Sequence, residues 1–321
     1  MRMPILKIKI RDVINCCDRS VTVIKRPYSI EAISVSSNAT NDSFAAYEFD
    51  FSTFYYPSVK FAAFKSQNYS AAAVAFRVDV LGLIEYNDSI SFADSESFID
   101  FYGKWSDISV TNSSGVIVLE TTFVEDFSES KNENGPFNAS ISAYITGNVT
   151  KTKDGIILSP SSIKYSFDFQ NYPYVYSNSS IAIIQAVFAE SINFNNSQYF
   201  VKDNSTNTMA QYKWDSTVLA DGKKANLTVE REVLLEAKGN FTVDNSGNGT
   251  DALIVELVAF DIQAIQPKSV FWDPTLGVST PTDNLGTTTD NTTASASASL
   301  PTATATATAT IKSNAARTVL H

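Results

Sequence analysis

Between Ser43 and Val278 apolar and polar residues alternate with a period of two, the signature of β-strands that bury one face. Val74, Phe76, Val78, Val80, Gly82, Ile84 and Tyr86 form one side of such a run, and Arg77, Asp79 and Glu85 fall on the other. Tyr165, Phe167 and Phe169 alternate with Lys164, Ser166 and Asp168 in the same way. Further strands are predicted over residues 47–55, 59–64, 98–102, 108–111, 116–125, 139–149, 181–188, 199–202, 211–219, 227–236, 253–265 and 270–272. Asp154-Gly155, Asp221-Gly222, Asn248-Gly249 and Ser114-Gly115 supply the positive-φ positions that hairpin turns require. Residues 180–190 are long enough for a helix, but Ile181, Ile183, Ile184 and Val187 are β-branched and favour a strand.

Many short strands without long helical runs predict an all-β fold, a large antiparallel β-sandwich over residues 43–278. Two tandem sandwiches split near 155–162 are the alternative, because Ser159-Pro160-Ser161-Ser162 is the one weak candidate linker. Aromatic residues at 12% and charged residues at 18% supply material for a real core.

Charge sets the first segment apart. Of the net −10, residues 1–27 contribute +5, with seven Lys/Arg against Asp12 and Asp18, so the remainder carries −15. Both cysteines, Cys16 and Cys17, lie there too, and neighbours in sequence rarely pair. Residues 1–42 are therefore expected to be an atypical basic segment, disordered or foreign to the mature protein. The acidic remainder excludes nucleic acid as a partner, since phosphate binding needs a basic face.

Fourteen Asn-x-Ser/Thr sequons punctuate the chain, at Asn38, Asn41, Asn68, Asn87, Asn112, Asn138, Asn148, Asn178, Asn195, Asn204, Asn226, Asn240, Asn248 and Asn291. Chance would give roughly six in a chain this rich in Asn, Ser and Thr, so the excess points to N-glycosylation in the secretory lumen. No apolar signal-peptide core of about 7–15 residues opens the sequence, so the signal is expected to be missing from it. No run of about 18 apolar residues occurs that could form a transmembrane helix.

After Trp272 no aromatic residue appears, and residues 287–310 are almost wholly Thr, Ala, Ser, Pro and Asn. Steps such as Thr302-Ala303-Thr304-Ala305 suit an O-glycosylated stalk, predicted over 279–321 and disordered. About 40 such residues would reach on the order of 120 Å when extended. A stalk beside a sequon-rich domain resembles the cell-surface and wall glycoproteins of fungi and similar eukaryotes, in architecture only. That resemblance implies an extracellular protein with a structural or adhesive role and cell-wall polysaccharide or surface glycans as partners. A lipid anchor would also follow if the C-terminus were truncated: Ser313, Asn314, Ala315 and Ala316 could serve as attachment site, though the apolar tail is absent.

Candidate chemistry is sparse. The sole histidine is His321, so the folded region can assemble neither a Ser-His-Asp set nor a histidine metal site. Carboxylates remain, and a glycosidase pair drawn from Glu48, Asp50, Asp79, Glu85, Asp100, Glu120, Glu125, Glu230, Glu232 and Glu256 is the third functional reading. The second is a carbohydrate-binding module, whose exposed rings would stack on sugars. Tyr172, Tyr174 and Tyr176 in a loop, with Trp272 at a strand end, are its candidates, set against the plainer reading that they fill the core. Asp244, Ser246 and Asn248 alternate as the first half of a calcium loop does, but Val255 stands where the bidentate Glu belongs, so a glycine-rich turn is the simpler expectation. No cofactor is expected.

Overall fold

The computed structural model describes residues 6–10, 19–36, 44–65, 74–87, 95, 97–113, 115–127, 135–147, 149–151, 157–189, 193–195, 198–203, 208–238 and 252–279. Among them the fold is all-β and antiparallel. In chain order the strands are β1 (Leu6–Ile10), β2 (Arg19–Arg26), β3 (Ser29–Ser36), β4 (Ala46–Ser52), β5 (Ser58–Phe64), β6 (Val74–Tyr86), β7 (Phe98–Asp100), β8 (Ser109–Ser113), β9 (Val116–Glu125), β10 (Phe137–Thr146) and β11 (Thr150–Lys151). There follow β12 (Ile157–Leu158), β13 (Ser162–Gln170), β14 (Ser180–Ala189), β15 (Asn193–Asn195), β16 (Gln198–Asp203), β17 (Thr208–Lys213), β18 (Thr217–Ala220), β19 (Lys223–Lys238), β20 (Ala252–Ile262), β21 (Ser269–Trp272) and β22 (Thr275–Ser279).

One sheet runs β1–β2–β3–β4–β5–β6–β14–β20–β19, with β7 continuing the β5 side of β6. The other runs β8–β9–β10–β13 and then divides. The two ends of β13 pair with β21 and β22, which lead to β18 and to β17–β16–β15 respectively. Strand β19 joins the sheets: Lys223 to Asn226 pair with β18, and Leu227 to Lys238 pair with β20. A single continuous cluster of buried side chains draws on both sheets. Phe101 packs on Phe123 at 5.3 Å and on Phe167 at 5.9 Å, and Phe260 meets Trp214 at 5.0 Å and Trp272 at 4.6 Å. Residues 180–189 form a strand, as β-branching predicts.

The start of the β domain lies earlier than residue 43. β2 and β3 pair with each other and with β4, and Val21, Val23, Ile30 and Ala32 join the core. Their alternation, with every second residue of β3 buried over Ser29 to Ser34, is the same two-residue period as elsewhere. Lys25 and Arg26, at the turn end of β2, are exposed. Of the stalk predicted over 279–321, Ser279 ends β22 and residues 280–321 lie outside the described residues.

A candidate aromatic binding shelf

Three turns meet at one edge of the first sheet. The β2–β3 turn carries Tyr28, the β4–β5 connection carries Phe54, Tyr55 and Tyr56, and the segment after β7 carries Tyr102. The run Thr53-Phe54-Tyr55-Tyr56-Pro57 breaks the two-residue period, and Pro57 cannot donate to a ladder, so β4 stops at Ser52 and the rings enter a loop. Backbone bonds tie the turns together: Thr53 N donates to Tyr28 O at 2.9 Å, and Gly103 N donates to Tyr55 O at 2.6 Å.

The rings form a chain. Tyr28 meets Phe54 edge-on at 5.8 Å, Phe54 meets Tyr55 at 4.4 Å, Tyr55 stacks on Tyr102 at 5.7 Å, and Tyr102 meets Tyr56 at 5.5 Å. Tyr28, Phe54, Tyr55 and Tyr102 are 51%, 56%, 52% and 48% exposed, so each residue is about half open to solvent. Asp100 sits beneath: its Oδ1 accepts from Tyr102 N at 3.0 Å, and its carboxylate accepts from the Tyr56 phenol. Burial, followed by the negative charge of Asp100, pushes the Tyr56 phenol up to about 12.

Tyr28 holds its place at a cost. Its φ is 63°, in the left-handed region where a residue with a Cβ loses about 1 kcal/mol or more relative to glycine. Pro27 presets the preceding corner of the turn, and the position after it is one where glycine or asparagine is usual.

Of the residues predicted from sequence to carry a sugar site, Trp272 and Tyr172 are buried, which corrects the expectation that their rings are exposed. Trp272 is 2% exposed against Phe260, and Tyr172 is 2% exposed with its hydroxyl donated to Ser97 O at 3.1 Å. Tyr174 donates its hydroxyl to Pro267 O at 2.8 Å, and burial raises both phenols. Tyr176 is half-buried, and its backbone N donates to Glu85 Oε1 at 2.9 Å. Tyr172 and Tyr174 pack into the core from a loop fastened to the fully buried Glu85, which also accepts from Val175 N at 2.9 Å and from the Ser179 hydroxyl.

Several of the candidate carboxylates are committed to partners. Asp79 pairs with Arg77, Glu125 with Lys104, Glu256 with Arg231, and Glu48 with Lys60. A hollow lined by Asn138, Ser140, Asp168 and Gln170 on the outer face of β10 and β13 has a volume of about 50 Å³, room for water rather than for a sugar ring. Among the described residues no group of three or more His, Cys, Asp or Glu is arranged to hold a metal, and Asp244, Ser246 and Asn248 lie outside them. No helix among the described residues is long and apolar enough to cross a membrane.

Five sequon asparagines have described side chains. Asn112, Asn138, Asn178 and Asn226 are exposed and Asn87 is half-exposed. Asn195 lies on β15, its side chain outside the description, and Asn38, Asn41, Asn68, Asn148, Asn204, Asn240, Asn248 and Asn291 fall outside the described residues. The chain matches no known family model and no curated protein.

Proposed function

We propose that the protein is an extracellular, N-glycosylated surface or wall protein whose sandwich has a structural and adhesive role, with the aromatic shelf as its adhesive face. The observation that carries this reading is the segregation of exposed rings. Every large aromatic side chain described as strongly exposed, namely Tyr28, Phe54, Tyr55, Phe98 and Tyr102, belongs to the shelf or to β7, which leads into it. The exposed large aliphatic residues, Val124, Val149, Val175, Leu219 and Ile265, belong to other segments. Contiguous exposed apolar surface marks contact sites, whereas single exposed side chains do not.

Surface placement of the five described sequon asparagines supports the glycoprotein half of the reading, since oligosaccharide transfer needs an accessible amide. The full chain, secreted from a eukaryotic host behind a signal peptide, is expected to migrate faster after treatment with an amidase that removes N-glycans. An unchanged band would overturn the glycoprotein assignment.

A further inference from the structure

We infer that the shelf is a subsite for an uncharged polysaccharide, and that Tyr28 is held in its strained turn to complete it. This rests on the shelf being the working surface proposed above and names what it takes.

The chemistry of the shelf selects among partners. Tyr28, Phe54, Tyr55 and Tyr102 form a continuous chain of half-exposed rings with consecutive centroid separations of 4.4–5.8 Å, the first two contacts edge-to-face and the third stacked. The apolar C–H face of a pyranose packs on such rings, and three of the four carry a phenol hydroxyl that can exchange hydrogen bonds with sugar hydroxyls at the rim. None of the exposed aliphatic side chains is there, whereas a protein-docking face draws on aliphatic as well as aromatic residues.

Charge argues for a neutral ligand. The cations nearest the shelf in sequence are already engaged: Arg26 pairs with Glu31, Lys25 Nζ donates to Ile108 O at 3.1 Å, and Lys104 Nζ meets Glu125 at 2.6 Å. The shelf's own ionisable acid is Asp100, which would repel a uronic, sulfated or phosphorylated chain.

The turn supplies the independent observation. Glycine at position 28 would relieve the left-handed backbone, yet a tyrosine stands there with its ring exposed and no core to fill. Strain retained for a half-exposed ring whose ring contact is Phe54, itself half-exposed, points to a residue kept for the shelf.

The test uses the full chain in affinity electrophoresis through gels containing β-1,3-glucan, β-1,4-glucan, α-mannan or soluble chitin derivative, each compared with a gel lacking polysaccharide. Retardation by at least one polymer is expected, with Tyr28→Gly and Tyr55→Ala weakening it tenfold or more. Tyr28→Gly should melt at the wild-type temperature or above it, which separates lost contact from lost folding. Tyr144→Ala, on the opposite sheet and half-buried, tests a position remote from the shelf and should keep the retardation. No retardation of the wild type by any polymer, or retardation of Tyr28→Gly and Tyr55→Ala equal to that of the wild type, would overturn the inference. Retention on phenyl resin without retention by polysaccharide would also overturn it, in favour of an apolar protein partner. These outcomes are independent of the amidase result, so failure of the sugar assignment and failure of the glycoprotein assignment can be told apart.

Discussion

Asp50 stands on β4 opposite Glu31 and Lys60, with Glu48 two residues away, and burial pushes its carboxyl up to about 6. Lys60 and Arg26 work against that rise, and Glu48 and Glu31 add to it. Burial likewise raises Asp261 to about 6, against the pull of Gln263. Both carboxyls have folded pKa values above their unfolded ones, so they contribute stability that is full below about pH 4 and lost as pH rises through about 6. The melting temperature is therefore expected to rise on acidification from pH 7 to pH 5, and Asp50→Asn should flatten that slope. The share from Asp50 is on the order of 3 kcal/mol between the two limits. Calorimetry of wild type and Asp50→Asn across this range checks it, and a melting temperature that falls on acidification would reject the assignment. Nothing in the sequence marks Asp50: it reads as an outward carboxylate like Asp168 or Glu120, and only the crowding of neighbouring strands takes it from water. Tyr172 and Trp272 were open to both a sugar-site and a core reading for the same reason, since a ring beside a strand end reads alike whether the next strand covers it or not.

At the scale of elements, the shelf depends on how closely β7 approaches β6. Gly82 stands opposite Asp100, and a Cβ there would lie 2.1 Å from the carbonyl oxygen of Ile99 and 2.8 Å from the Phe98 ring. Backbone cannot yield as a side-chain tip can, so Gly82→Ala is expected to cost about 2–4 kcal/mol, or to push β7 outward and carry Asp100 and Tyr102 with it. A fall of several degrees in melting temperature, with altered tyrosine near-UV circular dichroism, would show this, and an unchanged melt would refute it. Glu85 does the corresponding work three residues further along β6. It is fully buried and collects Val175 N, Tyr176 N and the Ser179 hydroxyl, so Glu85→Gln weakens charge-assisted bonds and is expected to cost about 2 kcal/mol. Protease cleavage within residues 171–178 should then speed up; equal cleavage rates would argue against the fastening. Strands with a covered and an open face, such as β9 and β13, were legible from alternation alone. The single strand read over 211–219 is two, β17 and β18, because Trp214 turns into the core and redirects the chain between them. β2 and β3 alternate just as plainly, but their basic turn and adjacent cysteines drew attention to composition instead of period. The shelf was legible only as an interruption, three rings in a row where alternation should have continued.

For the whole molecule, the pairings that close the sandwich join distant parts of the chain: β6 with β14, β14 with β20, and β13 with β21 and β22. β19 begins in one sheet and ends in the other, so neither sheet can leave without disturbing the second. Between them lies a buried polar chain, in which the Tyr165 and Tyr212 hydroxyls are 2.7 Å apart and Tyr212 donates to Gln185 Oε1 at 2.8 Å. Tyr212→Phe removes the central link and strands two polar groups in apolar surroundings, at an expected cost of about 1–3 kcal/mol. The three tryptophans sample the core widely. Trp105 packs with Phe101 and Phe123, whereas Trp214 and Trp272 pack on Phe260. If the sandwich is one cooperative unit, tryptophan fluorescence and far-UV circular dichroism must melt together, and Tyr212→Phe must shift both midpoints equally. Refolding should be slow, because closure of such long loops precedes the contacts that reward it. Two separated transitions, with Tyr212→Phe moving only the later residues' signal, would show instead that the two halves of the chain melt as independent units.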